Sequence, residues 1–288
     1  MFIAKDLTDY KVLDTGDGMK LEDWGGTLLS RPDPQVIWPK TSPNIWQKAD
    51  GVYHRSDTGG GEWQFSNSNI PERWSFNYKG IKMYVKPTGF KHTGVFPEQA
   101  ANWDWIREKI KDSNRNAPTV LNLFGYTGGA SLAALSVGAN VVHVDAARSM
   151  IEWFKENLSL SHLDKKPIRY MVDDCLKFVL REQRRGNTYD GIIMDPPSYG
   201  RGKNGEIWKM EKDIYNLVVE CVKIMSPNPL FFLINSYTTG LSHVVTDNIL
   251  IKTVVPKFRG RVRGDVLALP VANSKTFLPC GTASRWER

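Results

Sequence analysis

The residues best suited to chemistry are acids that close apolar runs. Asp145 ends "NVVHVD", Asp173 and Asp174 end "IRYMVDD", and Asp195 ends "YDGIIMD". Asp195 also opens "DPPSYG", whose consecutive prolines can continue neither a central strand nor a helix body. A buried strand therefore ends in a stiff turn that presents an acid and an aromatic ring. Asp195 and the Pro196 carbonyl can accept hydrogen bonds from an amino group, while Tyr199 stacks on the ring that carries it.

A second constellation is "LNLFGYTGGAS". Gly125, Gly128 and Gly129 allow a tight turn and a close approach of backbone to a ligand. Their spacing differs from the G-x-G-x-x-G dinucleotide fingerprint. Asp145, twenty positions after Gly125, can accept hydrogen bonds from ribose hydroxyls. Together they indicate a cofactor that carries a nucleoside. For Asp173 and Asp174 two roles stay open, an adenine contact and a helix cap.

These groups need elements to hold them. "TVLNLF", "ANVVHVD", "IRYMVDD", "YDGIIMD" and "PLFFLINSY" read as strands. They alternate with helical patterns in "GGASLAALSVG", "ARSMIEWFKENLSL", "CLKFVLREQRRG" and "KDIYNLVVECVKIM". Such alternation predicts a parallel sheet covered on both faces. Four consecutive strands then end with polar groups at one edge, where ligands sit in open α/β sheets. Upstream, Pro97 suits a first helical turn, with Trp103, Ile106 and Ile110 as the apolar stripe. The C-terminal segment predicts two further strands around a turn at Asn273-Ser274. Before residue 85 the pattern is different: short alternating runs such as "EWQFSNSN" and "RWSFNYKGIKMYVKP", separated by turn chemistry, predict a small β-rich domain.

Composition sets bounds. The 288 residues suffice for one large domain or two modest ones. No apolar run approaches the roughly twenty residues of a spanning helix, and the N-terminus does not read as a signal peptide. The three cysteines, Cys175, Cys221 and Cys280, are widely spaced with no CxxC or Cys/His cluster. This predicts reduced thiols in a cytoplasmic protein without a zinc site. The net charge of +7 favours an anionic partner such as nucleic acid.

Taken together, these residues resemble the class I S-adenosylmethionine-dependent methyltransferases, and most closely bacterial large-subunit ribosomal RNA methyltransferases. "VLNLFGYTGGASLAAL", "HVDAARS", "VDDCLKF" and "IIMDPPSYG" resemble motifs I to IV, and "GFKHTGVFPEQAANW" the segment upstream of motif I. The resemblance covers residue 85 or so to the end. It implies a Rossmann-like, mostly parallel methyltransferase sheet with a terminal antiparallel hairpin over 86–288, behind a β-rich domain at 1–85. It also implies S-adenosylmethionine as cofactor and S-adenosylhomocysteine as product. Phe124, Gly125, Tyr126, Thr127 and Gly128 would surround the methionine part, and Asp145 and Ala146 the ribose and adenine. Asp174 and Cys175 would contact the adenine, and Thr93, Phe96 and Gln99 would close the pocket. Asp195 would face both the sulfonium and the acceptor.

Two departures bear on the reaction. Relatives that methylate carbon 5 of cytosine carry a cysteine near the end of the fifth strand, where this chain reads Asn235-Ser236-Tyr237. The motif is also not a plain Asp-Pro-Pro-Tyr, because Ser198 intervenes. Direct transfer to a base nitrogen is therefore expected, with Asp195, Pro196 and Tyr199 at the acceptor, no metal, and His92 structural or a phosphate contact. RNA binding is expected from two basic stretches. Arg73, Lys79, Lys82, Lys86 and Lys91 interleave with aromatic residues. "KFRGRVRGD" would place Lys257, Arg259, Arg261 and Arg263 on one extended face. Alternatives are a small-molecule or protein methyltransferase and a catalytically silent binding module. The sequence leaves a homo-oligomer open.

Overall fold

In a computed structural model the protein is described over residues 1–56, 60–66, 70–89, 91–202 and 205–288. The end of the expected "EWQFSNSN" strand (67–69) and Phe90 of the upstream segment lie outside the described residues. The chain divides into two compact units, one of residues 1–2, 102–267 and 281–288, the other of residues 3–101 and 268–280.

The first unit is built on parallel strands. They are β1 (Thr119–Leu123), β2 (Asn140–Asp145), β3 (Ile168–Val172) and β4 (Gly191–Met194). The hairpin strands β5 (Tyr199–Arg201) and β6 (Ile207–Lys209) come next, then the fifth parallel strand β7 (Phe231–Ser236). Long strands β8 (Arg261–Pro270) and β9 (Phe277–Glu287) close the chain. The eight-stranded sheet has the order Phe2–Ile3, β8, β9, β7, β4, β1, β2, β3. β1, β2, β3, β4 and β7 pair in parallel, and β9 runs antiparallel to β7, as expected for a parallel sheet closed by a final hairpin.

The helices are α1 (Ala100–Asp112), α2 (Gly129–Ser136), α3 (Arg148–Leu160), α4 (Cys175–Arg185), α5 (Met210–Lys223), α6 (His243–Thr253) and α7 (Val255–Phe258). On one face of the sheet Leu121, Leu123, Ile192, Met194, Phe232 and Ile234 share a core with Phe178 and Val179 of α4 and Leu217 and Val218 of α5. The other face carries Phe231 against Trp105 of α1 and His143 stacked on Phe154 of α3. α6 and α7 were not read from the sequence, although Ser242 caps α6 by accepting from the Val244 N–H. The β-branched run "VVTDNILIKTVV" carries no clear helical period.

α7 also corrects the expected basic face. Lys257 lies on a helix and Arg259 has a φ of 58°, so only Arg261 and Arg263 lie on a strand. All four are exposed, but they do not alternate along one extended face.

The second unit holds a five-stranded sheet from Lys11–Gly16 to Gly61–Phe65 and a separate hairpin of Trp74–Tyr78 with Ile81–Val85. In that hairpin Phe76 and Tyr78 are buried, so these two rings of the basic–aromatic stretch serve the core rather than a base-stacking surface. Arg73 instead covers Tyr84, 4.1 Å from its ring centre.

A buried ion pair organises this unit. Arg31 grips Glu22 through Nε and Nη2 at 2.5 and 2.6 Å, and the Tyr10 hydroxyl donates to the same carboxylate at 2.6 Å. Burial alone would raise the Glu22 pKa, but Arg31, Lys20 and Tyr10 hold it at about 2. That lowered pKa contributes stability above the usual glutamate range and loses it as pH falls through about 2. Glu22→Gln should lower unfolding stability by about 3–5 kcal/mol, because it strands the Arg31 charge. Urea unfolding at neutral pH checks this, and the variant should also lose part of the wild-type acid sensitivity.

Candidate active site

The turn from β1 into α2 is tight. Phe124, Tyr126 and Gly128 have φ of 55°, 52° and 96°. Residues other than glycine adopt such values only at a cost, and the surroundings enforce them here. At Gly128 a Cβ would lie 2.0 Å from the Phe154 ring, and at Gly125 one would lie 2.3 Å from the His143 ring. These two glycines therefore make room for rings of the protein itself. Beneath them Asn122 donates to Ser131 Oγ at 2.9 Å, and Ser131 meets His143 Nδ1 at 2.9 Å. Burial lowers the His143 pKa to about 3 and keeps the ring neutral.

Asp145 clamps the loop from the end of β2. Its Oδ2 accepts from the Tyr126 N–H and its Oδ1 from the Ala147 N–H, both at 2.9 Å. Burial raises its pKa, and the two backbone donors oppose that rise. The Gly125 N–H donates to the Val144 carbonyl and the Gly128 N–H to the Gly125 carbonyl. Three loop N–H groups are thus committed inside the protein. A pyrophosphate site would need such donors free, so the loop suits a nucleoside cofactor without phosphates. Each Asp145 oxygen keeps a lone pair for a hydroxyl.

Asp174 takes the capping role, accepting from the Lys177 N–H at 2.8 Å, and Asp173 pairs with Arg181. Cys175 is buried in the core, where burial pushes its thiol well up. Ala146 is exposed at the mouth of the loop.

At the end of β4 the Asp195 N–H points to the Leu123 carbonyl at 3.4 Å. The Pro197 carbonyl accepts from Trp208 Nε1 at 2.7 Å, and the Trp208 ring lies 5.2 Å from that of Phe124. Trp208 therefore ties the proline turn to the glycine loop, a role the sequence reading missed. It sits on β6 opposite Gly200. Tyr199 and Arg201 pair with Lys209 and Ile207, so these four share the other face of the hairpin, and all are exposed. The Tyr199 hydroxyl accepts from Arg201 Nε at 2.9 Å.

The strand registers collect these groups. The last parallel pairs are Val144 with Leu123, Leu123 with Met194, and Met194 with Ile234. One residue further, Asp145, Phe124, Asp195 and Asn235 form a single row along the carboxyl edge.

Thr93, Phe96 and Gln99 belong to the second unit. Thr93 is fully buried, with no hydrogen-bond partner for its hydroxyl among the described residues. Phe96 lies 5.2 Å from the His92 ring. Burial, then Arg31, lowers the His92 pKa to about 4, so it is no cationic phosphate contact at neutral pH.

The strand order, the acid closing β2 and the committed glycine loop define a Rossmann-like methyltransferase fold. The family signature of S-adenosylmethionine-dependent methyltransferases matches residues 47–243, and the chain belongs to that family. It is an enzyme whose cofactor is S-adenosylmethionine. A solved SAM-dependent methyltransferase from Agrobacterium tumefaciens is 35% identical, with a TM-score of 0.93 over 99% of this chain and 92% of that one. A candidate methyltransferase solved with SAH has a TM-score of 0.71 at 22% identity over 97% of this chain and 76% of that one, a likeness of fold. Ribosomal RNA large subunit methyltransferase K/L of Pseudoalteromonas atlantica is 33% identical over 150 residues, 51% of this chain and 20% of that protein. The chain thus spans about a fifth of the length of such curated relatives. Among the described residues, no helix is long and apolar enough to cross a membrane.

Asp145→Ala should weaken S-adenosylmethionine binding by about 1–3 kcal/mol, because it removes acceptors and frees the Tyr126 end of the loop. Calorimetry measures it. Wild-type affinity should also fall as pH drops and protonates Asp145, whose raised pKa brings that loss in at higher pH than for an ordinary aspartate.

Proposed function

We propose that this enzyme methylates a nitrogen of a nucleic-acid base, with ribosomal RNA the favoured substrate. The observation that carries the reading is the Asp195-Pro196-Pro197 turn at the carboxyl edge, in the same row as Asp145. Bound S-adenosylmethionine supplies a methyl group already activated on a sulfonium. Phe124 to Gly128, Asp145, Ala146, Asp174 and Cys175 line its site in this reading, and the Thr93 hydroxyl, unpartnered among the described residues, suits a ligand contact. Phe96 and Gln99 belong with Thr93 by the motif resemblance. Asp195 and the Pro196 carbonyl hold the acceptor amine so that its lone pair faces the methyl group. Trp208 fixes the turn that carries them, and Tyr199 offers a stacking surface beside basic Arg201 and Lys209.

The thiols support nitrogen over carbon 5 of cytosine, which needs a thiolate to attack the ring. Burial pushes Cys175, Cys221 and Cys280 all upward, the last with help from Glu98, so none is prepared as a nucleophile. RNA as the acceptor draws support from the net charge of +7 and from relatives named as ribosomal RNA methyltransferases. In this reading residues 86–288 form the catalytic part, 1–85 a β-rich accessory part, and the enzyme works in the cytoplasm.

The test is to compare ribosomal RNA nucleosides from cells with and without the gene. One N-methylated base should vanish and return with the wild-type gene; unchanged nucleosides contradict the reading. Asp195→Ala should abolish transfer to RNA from the deletion strain while leaving cofactor affinity within about tenfold. Changing Cys175, Cys221 and Cys280 together to alanine should retain transfer, allowing for weaker folding from lost packing. A folded but inactive triple variant, or a covalent adduct with 5-fluorocytosine RNA, would contradict direct nitrogen transfer.

A further inference from the structure

The β5–β6 hairpin has two unlike faces. Gly200 and Trp208 form the inner one, where Trp208 packs against the apolar core and against Phe124 of the cofactor loop. Side chains two apart on a strand, and those paired across strands, share a face. Tyr199, Arg201, Ile207 and Lys209 therefore form the outer one. All four are exposed, Tyr199 by 48% and Ile207 by 55%, so two large apolar side chains stand together in water.

Their order on that face is regular. Tyr199 pairs with Lys209, and Arg201 with Ile207. The face is thus a checkerboard, with the apolar side chains on one diagonal and the cations on the other. Diagonal neighbours stand about 7–8 Å apart. Arg201 donates through Nε to the Tyr199 hydroxyl at 2.9 Å, which steadies the ring and leaves its Nη groups to a partner. Among the described residues no acid pairs with the side chain of Arg201 or Lys209. Glu206, the one acid in the hairpin sequence, instead reaches Lys177 of α4 at 2.5 Å. Asp213 is turned to the Lys209 N–H at 2.7 Å. The platform is also anchored. The Met210 N–H donates to the Ser198 carbonyl at 3.1 Å, and Trp208 holds the Pro197 carbonyl. The outer face therefore keeps a fixed place beside the Asp195-Pro196-Pro197 turn.

We propose that this outer face docks a single-stranded RNA segment continuing from the target nucleotide. One base stacks on Tyr199, the next lies on Ile207, and Arg201 and Lys209 contact the phosphates beside them. The inference rests on the reading of RNA as substrate and adds the state of the strand and the residues that hold it. Stacking surfaces interleaved with cations suit an unpaired strand, because every base offers a π-face and every phosphate a charge. In a duplex those base faces are already stacked, and recognition falls to the backbone and the shallow groove, so the apolar diagonal would have no partner.

The test measures binding of a labelled mixed-sequence RNA of about twelve nucleotides to the protein saturated with S-adenosylhomocysteine, over a range of salt concentrations. A duplex of the same sequence and polyglutamate serve as competitors. The single strand should bind more tightly than either. Arg201→Ala and Lys209→Ala should each make the slope of log affinity against log salt shallower by about 0.7. Tyr199→Ala should weaken binding about tenfold and leave that slope unchanged. Ile207→Ser should act in the same direction. The Arg201 and Lys209 variants should keep wild-type affinity for S-adenosylhomocysteine, which reports a folded cofactor site. Wild-type RNA affinity and salt slope in such folded variants would overturn the inference, and so would a duplex or polyglutamate bound as tightly as the single strand. Methyl transfer to ribosomal RNA of the deletion strain separates the two readings. If the wild type and the hairpin variants methylate that RNA equally well, only the docking surface has failed. If the wild type neither binds nor methylates RNA, the substrate reading has failed, and this inference with it.

Discussion

The register of the parallel strands is the constraint on which the site depends. β1 pairs with β2 on one side and β4 on the other, and the ladders stop at Val144, Leu123 and Met194. The next residue of each chain is therefore delivered to a common edge. A slip of one residue would turn every side chain of a strand to the opposite face. It would drive Asn122 and His143 into the apolar layer of Leu121, Leu123, Ile192 and Met194, at the cost of unpaired buried polar groups. The hydrophobic pattern that stabilises the sheet thus also fixes where Asp145 and Asp195 stand.

The glycine loop meets a second demand. It must turn back over His143 and Phe154 and still offer a surface to a cofactor. Absent side chains at Gly125 and Gly128 solve the packing, and the Asp145 carboxylate holds the loop by the Tyr126 N–H. Because the loop spends N–H groups internally, it offers little to a phosphate, and in the proposed reading the carboxylate is left for ribose. The same acid thus acts as a fold restraint and as the principal polar feature of the proposed cofactor site.

Much of this was legible in the sequence, for a local reason. Strands such as 119–123 and 191–194 are mostly apolar runs, followed by a glycine turn or an acid, and their order implies a parallel sheet. Asp145 and Asp195 were readable because each follows such a run. Asp174 was readable as a helix cap for the same reason. What escaped depends on contacts between distant segments. Trp208 matters only because β5 and β6 fold it against Phe124, although the Asn204-Gly205 dipeptide was an available turn signal. Asn235 read as a missing cysteine, since nothing local announces its bond to Asn102, more than a hundred residues away. The basic run at 257–263 read as a strand because its alternation is strict, yet the α7 helix and the left-handed turn at Arg259 break it.

The central claim is that the row running from Asp145 to Asp195 is where cofactor and acceptor meet. A crystal structure of the protein with S-adenosylhomocysteine tests it most directly. The account predicts ribose hydroxyls on the Asp145 carboxylate, the homocysteine part along Phe124 to Gly128, and the sulfur directed toward Asp195. A cofactor bound away from Asp145, or a sulfur facing away from the Asp195-Pro196 turn, would contradict it.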